Sequence, residues 1–156
     1  MDPGSVTIEA VDPACEEARR CLESYYAELR ERFETAYERE RHPQPPREAF
    51  LAPRGRFVCA LAPDRVVGCG GVTTLAAGVA LITRMWVAPE ARGIGLGRRI
   101  LRELEAVAGD LGLRRVRLDT NRALVEARQL YLAAGYREIE AFNDSPYADF
   151  WFEKEL

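Results

Sequence analysis

Of the 22 basic side chains in this 156-residue sequence only Lys154 is a lysine, and His42 is the one histidine. The four cysteines, at positions 15, 21, 59 and 69, form no Cys-x-x-Cys pair and have only that histidine as a co-ligand. No metal site and no disulfide frame are expected, and reduced buried thiols are. No Gly-Lys-Ser or Gly-Lys-Thr occurs, which excludes a Walker phosphate loop. The longest apolar run, Val66 to Ile82, is broken by Gly68, Gly70, Gly71, Thr73, Thr74 and Gly78. It falls short of the roughly 20 clean residues of a membrane helix. The opening Met1-Asp2-Pro3-Gly4-Ser5 has no basic segment leading into an apolar core. No secretory signal and no membrane partner are expected, and the cytoplasm is the expected compartment. Repeats, low-complexity tracts and long linkers are also missing. With 47% apolar and 30% charged residues, the chain reads as one globular domain over 1–156.

Net charge is small, at −3, but unevenly spread. Residues 84–122 hold nine arginines against five acids, whereas residues 1–64 hold nine basic and thirteen acidic side chains. An electropositive middle in an acidic chain is not a whole-surface nucleic-acid footprint, and no nucleic-acid partner is expected.

What is present falls into periodic segments. Val6 to Val11 alternates as a strand. Asp12-Pro13 reads as a helix start, followed at helical spacing by Cys15, Ala18, Leu22, Tyr25, Tyr26, Leu29 and Phe33. Glu16 with Arg20 and Glu28 with Arg32 form i,i+4 pairs on its outer face. The prolines of His42 to Pro46 mark a loop, and Arg47 to Leu51 suits a short helix. Phe57 to Leu61 and Val66 to Thr73 read as strands joined at Pro63-Asp64, and a third strand runs Val79 to Val87. Gly68, Gly70 and Gly71 point to a bulge or a close backbone approach. Beyond Gly97, Ile100, Leu101, Leu104, Val107, Ala108 and Leu111 form one helical stripe. A strand around Val116 and Leu118 and a helix carrying Leu124, Ala127, Leu130, Tyr131 and Ala134 come next. Tyr136 to Phe142 and Phe150 to Glu153 close the chain as paired strands. The order β-α-(α)-β-β-β-α-β-α-β-β is an α/β fold, an α+β mixed sheet with a parallel element around the helix from Gly97.

The stretch with most chemistry is Arg92-Gly93-Ile94-Gly95-Leu96-Gly97-Arg98-Arg99, which opens a helix directly after Met85-Trp86-Val87-Ala88-Pro89. Unpaired N–H groups and the dipole at a helix start make an anion site, most often for phosphate, and glycines let the ligand approach. A dinucleotide fingerprint wants a glycine at the sixth position, but from Gly93 that position is Arg98 and from Gly95 it is Ile100. Asp119, at the end of the following strand, does imitate the ribose-binding acid of such folds, so a nucleotide-dependent oxidoreductase stays as a minor alternative.

The strand ending at Val87, the Arg92-x-x-Gly95-x-Gly97 pattern, the strand to Asp119 and the helix ending Leu130-Tyr131-x-x-x-Gly135-Tyr136 together resemble the GNAT superfamily of acetyl-CoA-dependent N-acetyltransferases. The resemblance implies a GNAT-like fold and an acyltransferase. It places the pyrophosphate of coenzyme A on the amides of Gly93, Ile94, Gly95, Leu96, Gly97 and Arg98, with Arg92, Arg98 and Arg99 adding charge. Met85, Trp86 and Val87 would pair their backbone with the pantetheine arm. Tyr131 matches the family's general acid, although its place on the apolar helix face also suits a core tyrosine.

Two family features are missing. A glutamate that many relatives carry before the loop has no counterpart in Ala80-Leu81-Ile82-Thr83-Arg84, and an asparagine seven residues before the tyrosine is Leu124 here. Asp119 is then the candidate base, or else a cap for nearby backbone, and Asn121 the amide that can stand in on the cofactor side. The acceptor pocket is expected between the first helix and the loop after it, with Tyr25, Tyr26, Phe33 and Tyr147 as walls and Tyr37 and Trp151 near them. The acidic bias of both ends favours a cationic acceptor, a primary amine of a small molecule or peptide. An acetyltransferase, acting as monomer or homodimer, is the leading expectation. A catalytically idle acyl-CoA-binding or regulatory module, motivated by Leu81 and Leu124, is the alternative.

Overall fold

A computed structural model describes residues Met1–Leu156. Its strands are β1 (Thr7–Val11), β2 (Gly55–Leu61), β3 (Val66–Ala76), β4 (Val79–Val87), β5 (Arg115–Thr120), β6 (Arg137–Ile139) and β7 (Phe150–Glu155). Three helices, α1 (Glu16–Arg32), α2 (Leu96–Asp110) and α3 (Val125–Ala133), are joined by short 3₁₀ turns. The seven strands form one sheet in the order β1-β2-β3-β4-β5-β7-β6, antiparallel throughout except for the parallel pair β4–β5 bridged by α2. The mixed α+β architecture is the one the element order implies. No helix is long and apolar enough to cross a membrane.

The sheet is buried on both faces at its centre, which is why β2 and β3 read as nearly continuous apolar runs. Val58, Ala60, Val67 and Val72 join Ile100, Leu101 and Leu104 of α2 in the larger core, while Phe57, Cys59 and Cys69 pack with Ala18 and Cys21 of α1 on the opposite side. Three of the four cysteines are buried and all four are free thiols. Glycines in β3 let α2 lie close: a Cβ on Gly70 would sit 2.8 Å from Leu104 Cδ1 and 3.1 Å from Met85 Cγ.

Three boundaries differ from expectation. α1 starts at Glu16 with Cys15 as its cap residue. Asp12 instead accepts from Ala14 N at 2.8 Å and pairs with Arg47, a partner 35 residues away. Arg47 to Phe50 is a 3₁₀ turn. The strand expected from Tyr136 to Phe142 is cut to Arg137–Ile139, which pairs with Glu153, Phe152 and Trp151 of β7.

The bulge signalled by the β3 glycines lies across the ladder from them. Cys69 faces Trp86 and Gly71 faces Thr83, so β4 carries one residue more than β3 over this span. There Arg84 adopts φ +57°, the one non-glycine residue with a positive φ. Before this bulge is reached β4 has already left β5, whose ladder is limited to Val79, Ala80 and Leu81 opposite Arg115, Val116 and Arg117. The two strands therefore part toward their carboxyl ends, and a cleft opens in the gap between them.

Because Leu104 is fully buried between α2 and the sheet, Leu104→Ala is expected to cost about 2–5 kcal/mol. Urea unfolding should show a lower midpoint with little change in slope; a midpoint within error of the parent would contradict this placement of the core.

Candidate active site

Where β4 ends, a 3₁₀ turn at Pro89–Ala91 leads into the glycine stretch. Gly93 and Gly95 have φ of +83° and +79°, and a Cβ on either would meet no atom within 4 Å. These glycines are required by backbone shape and leave open space above it. Gly95 is the cap residue of α2, and the first helical hydrogen bond runs from Arg99 N to Gly95 O at 3.1 Å. The N–H groups of Gly93 through Arg98 therefore make no backbone hydrogen bond, so six successive donors stand at a helix start.

The flanking arginines divide. Arg92 donates to Val87 O at 3.0 Å and pairs with Glu28 of α1 at 2.6 Å. Arg99 donates to the carbonyls of Pro3 and Val6, anchoring the N-terminus and lying away from the loop's ligand side. The expectation that all three add charge to the anion site is corrected: Arg98 lines the cleft, Arg92 lines it already paired, and Arg99 does not.

Two cavities fill the parting of β4 and β5. The larger, about 320 Å³, is floored by Met85, Trp86 and Val87, by the loop residues Arg92, Gly93, Gly95, Leu96, Gly97 and Arg98, and by Leu130 of α3. A Cβ on Gly97 would lie 3.4 Å from Leu130 Cδ2, so a larger residue would crowd the helix crossing at this floor. Ile94 turns into the core and contributes only its backbone. The smaller cavity, about 130 Å³, lies under the His42–Pro45 loop and is lined by Phe33, Asp119, Asn121 and Tyr147 among others. Tyr25, Met85, Leu124, Ala127 and Tyr131 belong to both. Tyr131 thus stands at the junction of the two spaces.

Around that junction the titratable groups are displaced from their ordinary values. Tyr131 is 7% exposed, and burial, with a smaller contribution from nearby Asp119, pushes its phenol well up, so it keeps its proton at any working pH. Burial also raises Asp119, although Asn143 Nδ2 donates to its Oδ2 at 2.9 Å and opposes the rise. His42 is pulled down to about 4 by burial and by the Arg84 guanidinium, and shares a 2.8 Å hydrogen bond with Tyr37 Oη. It is neutral near pH 7.

Two sequence-based placements shift. Tyr26 lines neither cavity: it is stacked on Tyr37 with ring centroids 6.1 Å apart and lies beneath Arg39. Its neighbour Tyr25 takes the wall instead, since adjacent helical residues point about 100° apart. Asn121 belongs to the smaller cavity rather than the cofactor side, where its amide donates to Tyr147 O at 2.8 Å and accepts from Ala123 N. Of the nearby aromatics, Tyr37 packs behind the wall and Trp151 donates to Asn143. Residues of the smaller cavity that the sequence did not mark as site candidates include His42, Gln44, Arg84 and Asn143. Only Arg84 left a trace there, as the single charge inside the apolar run Val79 to Val87.

Comparison with known proteins bears on the family and the fold. Residues 19–136 match the sequence model described as the acetyltransferase (GNAT) family. An "IAA acetyltransferase" of Azospirillum brasilense is 33% identical over 101 residues, which span 64% of this chain and 65% of that protein, a little under two thirds of its length. Among solved structures, a GNAT-family acetyltransferase of Staphylococcus aureus Mu50 superposes with a TM-score of 0.81 at 18% identity, covering 97% of this chain and 99% of that one. The PaiA N-acetyltransferase of Thermoplasma acidophilum, solved in complex with coenzyme A, gives 0.71 at 19% identity, covering 97% and 99%.

At Gly95 open space surrounds the absent Cβ, so the whole penalty of a side chain is conformational. Gly95→Ala should lower stability by about 1–2 kcal/mol and weaken inorganic pyrophosphate binding, measured by thermal unfolding and calorimetry. Unchanged pyrophosphate affinity would show that the loop is not the anion site.

Proposed function

Since the chain belongs to the acetyltransferase (GNAT) family, we propose that it transfers an acetyl group from acetyl-CoA to a primary amine of a small molecule or peptide, by direct attack in a ternary complex. The observation that carries this reading is the meeting of two cavities at Tyr131, one beside six free amides and one containing a carboxylate.

The residues present suit coenzyme A. A pyrophosphate needs several N–H donors at close range, and Gly93 to Arg98 provide them with Arg98 alongside. The edge of β4 beyond Leu81 has lost its β5 partner, leaving backbone groups at Met85 to Val87 for an extended, amide-bearing arm. Bound in this way, acetyl-CoA supplies an activated thioester, whose C–S bond breaks as the amine nitrogen forms the new C–N bond.

The chain's own contribution is orientation and proton handling. The smaller cavity holds the amine against the shared wall, so that the reaction becomes effectively intramolecular. Asp119, whose burial makes it a better base than an ordinary aspartate, takes the proton that an incoming ammonium must lose. Tyr131 stays protonated at the junction and donates to the leaving sulfur. A backbone N–H at the open edge near Val87 polarises the reacting carbonyl. Leu81 and Leu124, the residues that motivated an idle acyl-CoA-binding module, both line the smaller cavity. Asp119 and Tyr131 line the same cavity beside them, and this favours the active reading.

Free-thiol release with acetyl-CoA tests the roles. Tyr131→Phe should lower kcat by on the order of 10²–10⁴ with little change in coenzyme A affinity. With the parent enzyme kcat/KM should rise with pH through an apparent pKa above the ordinary carboxylate value of 3.8, because Asp119 must be deprotonated to act and its folded pKa is raised. Asp119→Asn should remove that limb; a profile that survives the substitution assigns the base elsewhere.

A further inference from the structure

The smaller cavity carries two formal charges of opposite sign. Among its lining residues Asp119 is the one acid and Arg84 the one base, since His42 is held neutral. The expectation of a cationic acceptor drawn from the acidic ends of the chain accounts for half of this arrangement only.

Arg84 is placed there by the backbone. It is the extra residue of the β4 bulge, at φ +57°, a conformation that costs a side-chain-bearing residue about 1 kcal/mol or more. Bulges re-aim side chains next to functional sites. The guanidinium lies over the Phe50 ring, 4.9 Å from its centroid, and donates from Nε to Gln44 Oε1 at 2.7 Å. Its partner is a neutral amide, and no carboxylate of the chain pairs with it, in contrast to Arg92, Arg32 and Arg117, each of which holds a glutamate. The Nη nitrogens, the pair that grips a carboxylate in fork geometry, make no hydrogen bond in the chain. A half-buried cation left without an anion, in a cavity whose other charge is a carboxylate, fits a ligand that brings both signs.

We propose that the acceptor is a small zwitterionic amine, a free α-amino acid, with its ammonium at Asp119 and its carboxylate on Arg84. The assignment rests on the transferase reading given above. A cavity of about 130 Å³ is close to the size that holds one benzene ring, which limits the enclosed part to a single small residue. Within it Phe33, Leu81 and Tyr147 offer apolar walls for a side chain. A peptide N-terminus would set an uncharged amide against Arg84, and a simple alkylamine would leave the guanidinium unanswered.

Thiol release with acetyl-CoA is measured for a set of amino acids, their carboxamides and the matching decarboxylated amines. The acids should exceed the carboxamides in kcat/KM by about 10- to 100-fold, the range of a lost charge-assisted hydrogen bond. Arg84→Gln should shrink that ratio to within roughly threefold, and Arg84→Lys, which keeps the charge but not the fork, should retain part of it. The ratio within each variant is the readout, so a general loss of activity or stability cannot imitate the result. Turnover of carboxamides and amines as good as that of the acids, or an acid preference that survives Arg84→Gln, overturns the assignment and leaves the transferase reading standing. No turnover with any amine overturns both.

Discussion

β4 and β5 share a ladder for three residues and then separate, and the rest of the site follows from that separation. Inside a sheet every backbone N–H and C=O has a partner, and a strand that leaves its neighbour exposes a row of them. Here the exposed row runs from Ile82 to Val87. The ladder ends at Leu81, just before the bulge whose extra residue is Arg84, and beyond it Met85 packs beside Gly70 against the larger core. The freed edge is a slot able to accept an extended ligand as a strand would be accepted, and the bulge on it places a charged side chain beside the smaller cavity.

The helices decide what the slot can bind. α2 begins immediately beyond it, and its first turn, loosened by Gly93 and Gly95, presents N–H donors to the same opening. α3 closes the other side with Tyr131, held by Tyr136 and Phe152 at ring distances of 5.9 and 6.1 Å. α1 spans the top: Glu28 holds Arg92 and receives Trp86 Nε1 at 3.3 Å, while Arg32 pairs with Glu126 and donates to Ala123 O. The first helix is therefore tied to the loop on one flank and to α3 on the other. A carboxylate that is 17% exposed and shared among two arginines and an indole sets the position of the cleft roof more firmly than a surface ion pair would.

Much of this was legible because local patterns carry it. The helical stripe after Gly97, the strand Val79 to Val87 and the glycine loop obey short-range rules of periodicity and backbone freedom, and the structure follows them to within a residue or two. What was illegible depends on distant partners. The start of α1 was misplaced because Asp12 is claimed by Arg47. Tyr25 and Tyr26 were indistinguishable because both are apolar aromatics and the phase of a helix about its axis is set by what it packs against. Arg84 looked like an interruption in an apolar strand. Its role depends on a bulge whose position comes from the register of β3 against β4, and the glycines signal that register without saying which strand takes the extra residue.

Charge shows the same division between composition and geometry. A surplus of arginines between residues 84 and 122 suggests an electropositive loop. Yet Arg92 is neutralised by Glu28, and Arg99 serves the carbonyls at the N-terminus. The positive potential at the cradle then comes mainly from backbone N–H groups and the helix dipole, with Arg98 added. Such donors are fixed in direction, carry no side-chain entropy and cannot be drawn off by a competing carboxylate, so they select a ligand by the spacing of its oxygens. Free guanidinium groups would have attracted any anion. At the smaller cavity the opposite choice is made: two full charges in side-chain form, one on each strand of the parted pair, on either side of the gap between them. A backbone cradle suits a part common to every reaction cycle, and a pair of opposed side chains suits the part by which one acceptor is told from another.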